Sequence, residues 1–231
     1  MTASLAEIPL GNQLKSRFLD GLTYQERGVV LAAGSMRSVS AHAVIAHQGE
    51  PANHIYLITK GRARYFYLTP DGKKIMLVWL PTGYTFGGSA LVQESTRYLV
   101  STEMVEDGSV LVWHRGTIRA LAARFPQLLE NMLSLACDYL AWYVSAHTSL
   151  ICENAEQRLA RVLATLADGL GQKRSGGVAV ELTNEQFANM ANITPFTASR
   201  IMTRWQRAGA IVKKRGEVLI KRRELLFRDD L

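Results

Sequence analysis

The sequence predicts an α+β chain: an N-terminal antiparallel β-roll or jelly roll, one long dimerisation helix, and a C-terminal winged helix-turn-helix. Three observations carry this. Short period-two segments separated by turn signals fill residues 36–113. The apolar period changes to about 3.6 after Pro126. A strongly basic helix-turn-helix pattern follows Thr183. The chain is accordingly divided into 1–125 (β-domain), 126–153 (long helix and hinge) and 154–231 (winged helix-turn-helix).

Within the β-domain, His54–Thr59, Arg62–Thr69, Lys73–Leu80, Arg97–Met104 and Ser109–His114 are rich in Val, Ile, Tyr and Thr. Turn signals punctuate them at Gly49-Glu50-Pro51, Lys60-Gly61, Pro70-Asp71-Gly72, Pro81-Thr82-Gly83 and Asp107-Gly108. In Pro70-Asp71-Gly72 proline sets φ and glycine tolerates φ > 0, which suits a hairpin. Ahead of the strands, Thr23-Tyr24-Gln25-Glu26 has the form of a capping box opening a short helix.

After Pro126, apolar residues recur at three- and four-residue spacing from Leu129 to Ile151. A helix of about 25 residues spans roughly 40 Å, longer than one small barrel covers. The uncovered length calls for a partner, and a parallel homodimer through Leu133, Ala136, Leu140, Val144, His147 and Ile151 supplies it. Asn154 with Gln157 restarts a helix that runs to Gly169 or Gly171, placing a hinge at 152–154. The stretch 172–177 reads as a polar loop and Val178–Leu182 as a strand.

Residues 183–208 read as helix, tight turn, helix. Thr183 and Gln186 form a capping box, and Phe187, Ala188 and Ala191 share an apolar face. Asn192 falls where φ > 0 is wanted. Thr194 can cap the second helix, whose first position suits Pro195. With Ala198 and Ile201 inward, the outer face offers Phe196, Thr197, Ser199, Arg200, Thr203, Arg204 and Arg207. Arginine can bond guanine O6 and N7 bidentately, and hydroxyls and amides hold phosphate. Residues 210–214 and 217–221 then form a two-stranded wing around Arg215-Gly216, with Lys213, Lys214 and Arg215 set to meet a phosphate backbone.

Charge agrees with pattern. The net charge is +7; residues 1–152 hold 13 basic against 11 acidic side chains, and 153–231 hold 14 against 9. Residues 194–223 contain nine basic side chains and a single acid, Glu217, the footprint of a polyanion-binding surface. At 48% apolar and 20% charged residues the composition is that of a globular protein. The longest strong apolar run, Ile75 to Leu80, is far short of the roughly 18 residues of a membrane span. Met1 to Asn12 does not read as a secretory signal. Two cysteines, Cys137 and Cys152, can build neither a disulfide scaffold nor a four-ligand zinc site, so a cytoplasmic location is expected.

A β-barrel, a long dimer helix and a winged helix-turn-helix in this order resemble the Crp/Fnr family of bacterial transcription regulators. The carriers are Gly49-Glu50 through Ile55-Tyr56-Leu57-Ile58 and Gly61, and then Gly83-Tyr84-Thr85-Phe86-Gly87. They continue with Arg158-Leu159-Ala160, Leu182-Thr183-Asn184-Glu185-Gln186 and Thr197-Ala198-Ser199-Arg200-Ile201. The resemblance covers essentially the whole chain. It implies a homodimer that binds a palindromic operator in double-stranded DNA, contacts RNA polymerase if it activates, and senses a signal through its barrel. Ser199 and Arg200 match base-contacting positions. Phe196 departs from the family pattern, in which a Glu accepts from cytosine N4. A phenyl ring touches a thymine methyl instead, which argues against the usual half-site.

The resemblance places the effector site at Gly87, Gly88, Ser89, Arg97, Tyr98 and Tyr143. The cyclic-nucleotide pattern is largely missing: Gly87-Gly88 lacks its Glu, Tyr98 follows Arg97, and Tyr143-Val144 stands where Thr-Ser belongs. Cyclic AMP is therefore not expected. No cysteine precedes Cys137, against an iron–sulfur cluster. The cofactor stays unknown. Haem is left open as an alternative although Gly88-Ser89 occupies the place of a ligating His, and so is redox sensing at Cys152. His42, His47, His54, His114 and His147 show no metal-ligand spacing, so no metal site is expected and a barrel metalloenzyme with a DNA-binding tail is kept only as the last alternative. No enzymatic activity is expected.

Overall fold

The computed structural model describes residues 14–92, 96–214 and 216–227. It divides into two compact units that meet between Leu140 and Ala141.

In the first unit the Thr23–Glu26 capping box forms as expected. The Thr23 hydroxyl accepts from the Glu26 amide at 3.3 Å and the Glu26 carboxylate from the Thr23 amide at 2.8 Å, opening α1 (Tyr24–Ala32). Eight strands follow: β1 (Ser35–Val39), β2 (Val44–Ala46), β3 (His54–Lys60), β4 (Ala63–Leu68), β5 (Lys74–Leu80), β6 (Thr85–Phe86), β7 (Ser101–Met104) and β8 (Gly108–His114). They pair antiparallel as two four-stranded sheets, ordered β1-β8-β3-β6 and β2-β7-β4-β5.

Strand β3 shows why the roll is stable. Its run Ile55-Tyr56-Leu57-Ile58 is buried on both faces, so it reads as continuous apolar sequence rather than as alternation. Tyr56 and Ile58 join Ala63, Leu80, Phe86, Met104 and Val112 between the sheets. Ile55 and Leu57 point the other way and pack with Leu111 and Trp113 against Phe18, Val30, Leu31, Ile118, Leu121 and Leu128. Trp113 is fully buried, and its indole N–H donates to the Val30 carbonyl at 2.7 Å.

Ile118 and Leu121 belong to α2 (Arg115–Arg124), a helix the sequence pattern did not separate from the strand before it. It starts directly where β8 ends: the His114 imidazole Nδ1 accepts from the Gly116 amide at 3.2 Å, so no loop marks the boundary. Helix α3 (Gln127–Cys152) then runs 26 residues from just after Pro126.

In the second unit Asn154 caps α4 (Ala155–Leu170) through the expected box with Gln157, both bonds at 3.0 Å. Next come β9 (Gln172–Arg174), β10 (Gly177–Val180), α5 (Asn184–Met190), α6 (Pro195–Arg207), β11 (Ile211–Lys214) and β12 (Glu217–Ile220). The stretch 172–177, expected to be a polar loop, contains β9, whose three residues are exposed and pair antiparallel with β10. Such a strand has no apolar side chain to announce it. The wing is accordingly one half of a four-stranded antiparallel sheet, β11-β12-β10-β9.

Candidate functional site

Helices α5 and α6 form the helix-turn-helix. The Thr183 hydroxyl accepts from the Gln186 amide at 3.2 Å and opens α5; Thr194 does the same for Thr197 at 3.1 Å and opens α6, with Pro195 at the first position. Between them Asn192 takes φ +51°, the left-handed conformation its place in the turn requires. The Asn184 amide donates to the Pro195 carbonyl at 2.8 Å and fixes the start of one helix to the start of the other. Ala198, Ile201, Met202 and Trp205 are buried beneath α6, so Phe196, Arg200, Thr203, Arg204 and Arg207 are turned outward and exposed. Phe196 is 77% exposed, which leaves an apolar ring largely in water. Thr197 and Ser199 are half-buried on the flank. The Thr203 hydroxyl donates back to the Ser199 carbonyl at 2.8 Å, which leaves its oxygen lone pairs outward.

The basic residues divide into two groups. Arg222 donates to the Ala208 carbonyl at 2.9 Å and Arg223 grips Asp168 through two bonds, 2.5 and 2.7 Å, so both hold the fold together. Arg204 is paired with Glu156 of α4. Lys214, at the wing tip, lies 3.6 Å from Glu217; Lys213 is half-buried beside it. Arg215 lies outside the described residues. Arg200 and Arg207 stand on the outer face of α6.

The first unit holds a cavity of about 570 Å³ between the roll and the first half of α3. Gly87, Gly88, Ser89 and Tyr98 line it. Gly87 has φ +85°, and a Cβ there would sit 2.6 Å from the His54 carbonyl oxygen. At Gly88 a Cβ would sit 2.6 Å from the Met132 sulfur, so a side chain there would have to push the flexible Met132 aside. Tyr98 is held at both ends of its hydroxyl: it accepts from the His54 amide at 3.0 Å and donates to the His54 carbonyl at 2.9 Å. Arg97 is not among the lining residues; its guanidinium donates to the Gly49 carbonyl, and β-bridge pairing with Pro51 holds its backbone. Tyr143 lies further along α3 in the second unit, its exposed ring stacked on His147.

Sequence reasoning did not single out Tyr65, Tyr84, Met132 or Tyr139 as pocket residues, though all line it. The signal was present as a second stripe on α3. Leu128, Met132, Leu135 and Tyr139 recur at 4-3-4 spacing and are buried or half-buried. Leu133, Leu140, Val144 and Ile151, together with Ala136 and His147, form a separate exposed stripe. Burial pushes the phenols of Tyr65, Tyr84 and Tyr98 above the usual tyrosine range, so all three are neutral near pH 7. Among the described residues no group of His, Cys, Asp and Glu could hold a metal, and no helix is long and apolar enough to cross a membrane. Cys137 and Cys152 are exposed free thiols on α3.

A winged helix-turn-helix with an outward cationic face, in one chain with an antiparallel roll that borders a ligand-sized cavity, defines a DNA-binding regulator with a sensory domain. Comparison with known proteins agrees. Residues 36–125 match the cyclic nucleotide-binding domain model and residues 157–228 the Crp-like helix-turn-helix domain model. The chain belongs to the Crp/Fnr family of transcription regulators. It is similar to the cyclic AMP receptor protein of Thermus thermophilus, 26% identical over 91% of this chain and 95% of that protein. It is likewise similar to the anaerobic regulatory protein of Bacillus subtilis, 25% identical over 82% and 81%. Among solved structures it shares its fold with the c-di-GMP responsive global regulator CLP of Xanthomonas campestris. That match has a TM-score of 0.75 at 15% identity and covers 86% of this chain and 99% of that one. FixK2 of Bradyrhizobium japonicum shares the fold as well, with a TM-score of 0.71, 19% identity and coverage of 84% and 95%.

Proposed function

We propose that the chain acts in the cytoplasm as a homodimeric, sequence-specific regulator without catalytic activity, paired through the exposed stripe Leu133, Ala136, Leu140, Val144, His147 and Ile151 of α3. Residues 1–125 sense, 126–153 pair and couple, and 154–231 bind DNA. Two-fold symmetry sets a palindromic operator with half-sites about one helical turn apart. Ser199 and Arg200 read base edges, Phe196 packs on a thymine methyl, and Thr194, Thr197, Thr203, Lys213, Lys214 and Arg215 hold the phosphate backbone, which Arg204 joins when it leaves Glu156. If the output is activation, RNA polymerase is the further partner.

The observation that supports this reading most directly is the two-faced recognition helix: a buried row from Ala198 to Trp205 and, opposite it, an exposed row from Phe196 to Arg207. Selection of bound duplexes from a random pool gives the operator. Arg200→Ala then costs about 1–3 kcal/mol and relaxes preference at one position of each half-site. An unchanged sequence preference in that variant overturns the assignment of α6 as the reading element. The curated relatives carry names as different as cyclic AMP receptor and anaerobic regulator. Kinship therefore leaves the signal to be read from the pocket, with Gly87, Gly88, Ser89 and Tyr98 at its wall and Arg97 and Tyr143 engaged outside it.

A further inference from the structure

We infer that the effector of this pocket is an uncharged, largely apolar small molecule carrying an aromatic ring, and that the pocket rejects cyclic nucleotides and other anions. The inference rests on the sensory reading of the first unit and names the class of ligand it takes.

Volume comes first. About 570 Å³ lies within the range of small-molecule sites, so the space suits a ligand rather than a few waters. The walls decide the rest. Among the described residues no lining side chain carries a charge. An anion entering would leave its hydration shell and, among the described lining residues, meet no cation, a cost that burial against Phe86, Met132 and Leu135 cannot offset. Arg97, the guanidinium that sequence alone would offer a phosphate, is not among the lining residues and donates from Nη1 to the Gly49 carbonyl. The Tyr98 hydroxyl is likewise committed, as donor and as acceptor, to the backbone of His54.

An aromatic ligand is favoured by the rings already there. Tyr65 meets Phe86 edge-on, with centroids 6.4 Å apart and planes at 89°, and meets Tyr139 in the same way at 6.0 Å and 88°. A fourth ring entering this cluster continues a preferred edge-to-face arrangement. The neutral phenols can then orient one hydroxyl or carbonyl on the ligand without demanding a charge.

Occupancy would also be felt along α3. Leu133 and Ala136 line the cavity and belong to the exposed stripe proposed to pair the subunits. A ligand seated between the roll and the helix therefore touches the element that carries the dimer seam, giving the signal a physical path toward the DNA-binding unit.

The test uses the full-length protein and the neutral dye N-phenyl-1-naphthylamine, followed by fluorescence, with cyclic AMP as competitor. The dye is expected to bind with enhanced emission and to be left in place by excess cyclic AMP. Met132→Trp, which fills the cavity, should weaken the dye about tenfold. Val100→Phe should do the same from a half-buried lining position outside the proposed dimer stripe. Cooperative melting checks that both variants fold. Displacement of the dye by cyclic AMP, or unchanged dye affinity in both folded variants, overturns the inference. Operator binding is measured on the same samples. Intact operator binding without any dye binding sinks the ligand class alone, whereas dye binding without operator binding sinks the regulator reading instead.

Discussion

The Arg158 guanidinium donates from Nε to the Ala191 carbonyl at 2.9 Å, joining the first turn of α4 to the turn of the helix-turn-helix. A second bond, from Nη1 to the Glu153 carbonyl at 2.7 Å, ties the same side chain to the junction between α3 and α4. One residue thus holds both the entry to the DNA-binding unit and the turn that aims its reading helix. Charge-assisted bonds to backbone carbonyls leave those carbonyls unsatisfied when the donor is removed.

Arg158→Ala should therefore destabilise the second unit by about 2–3 kcal/mol and weaken operator binding even though the residue touches no DNA. Thermal unfolding and fluorescence anisotropy on the selected duplex measure the two effects. A variant with unaltered melting and affinity would show that the turn is held without it.

Glu156 neutralises Arg204 on the recognition helix, and the second carboxylate oxygen of Glu156 is buried without a hydrogen-bond partner. Glu156→Gln should release Arg204 toward phosphate, raise affinity for all sequences, and steepen the slope of log K against log salt by about one. A salt series settles it: an unchanged slope means Arg204 serves the packing of α6 on α4 and not the DNA.

Phe196 is the position at which the operator should depart from one read by a carboxylate. Phe196→Glu should move preference at the facing base pair toward cytosine, while Phe196→Ala should cost about 1 kcal/mol on the original site. Repeating the duplex selection with each variant tests this, and identical selected sequences would remove Phe196 from the contact surface.

The exposed stripe on α3 makes its own prediction. Leu140 and Val144 are 60% and 55% exposed in the single chain, so pairing them buries apolar surface that water now covers. Leu140→Asp with Val144→Asp should yield monomers in sedimentation and lower affinity for the full palindrome well beyond that for a half-site. A dimer that persists would move the seam elsewhere.

Acid should loosen the roll at Glu103. Burial alone would raise its carboxyl, but hydrogen bonds from Lys74 and Arg64 outweigh that and hold it below the ordinary value of 4.5. A group depressed in the folded state contributes fully above its unfolded value, and that contribution fades as pH falls through the lower, folded one. Stability should thus be flat in this respect above about pH 5 and decline below 4.5, and Glu103→Gln should flatten the decline. Denaturant titrations across that window distinguish the two proteins.

Much of this was legible in the chain because its causes are local. The boxes Thr23–Glu26, Asn154–Gln157 and Thr183–Gln186 each close within three residues, and Asn192 adopts positive φ because its own side chain tolerates it. The outer face of α6 follows from its period of 3.6. Strand β9 escaped notice because it pairs through backbone and buries nothing, and α2 because the residue that ends β8, His114, also caps it.

Three-dimensional packing alone decided which cations are free and what the pocket is made of. Arg204 and Arg223 look alike in sequence to Arg200, yet their partners Glu156 and Asp168 lie 48 and 55 residues away. The cavity joins Tyr65 and Phe86 to Met132 and Tyr139, while Arg97 donates to the Gly49 carbonyl and is not among its lining residues. Contacts between residues so far apart depend on how the sheets close and where the helix lies against them, which no short-range pattern encodes.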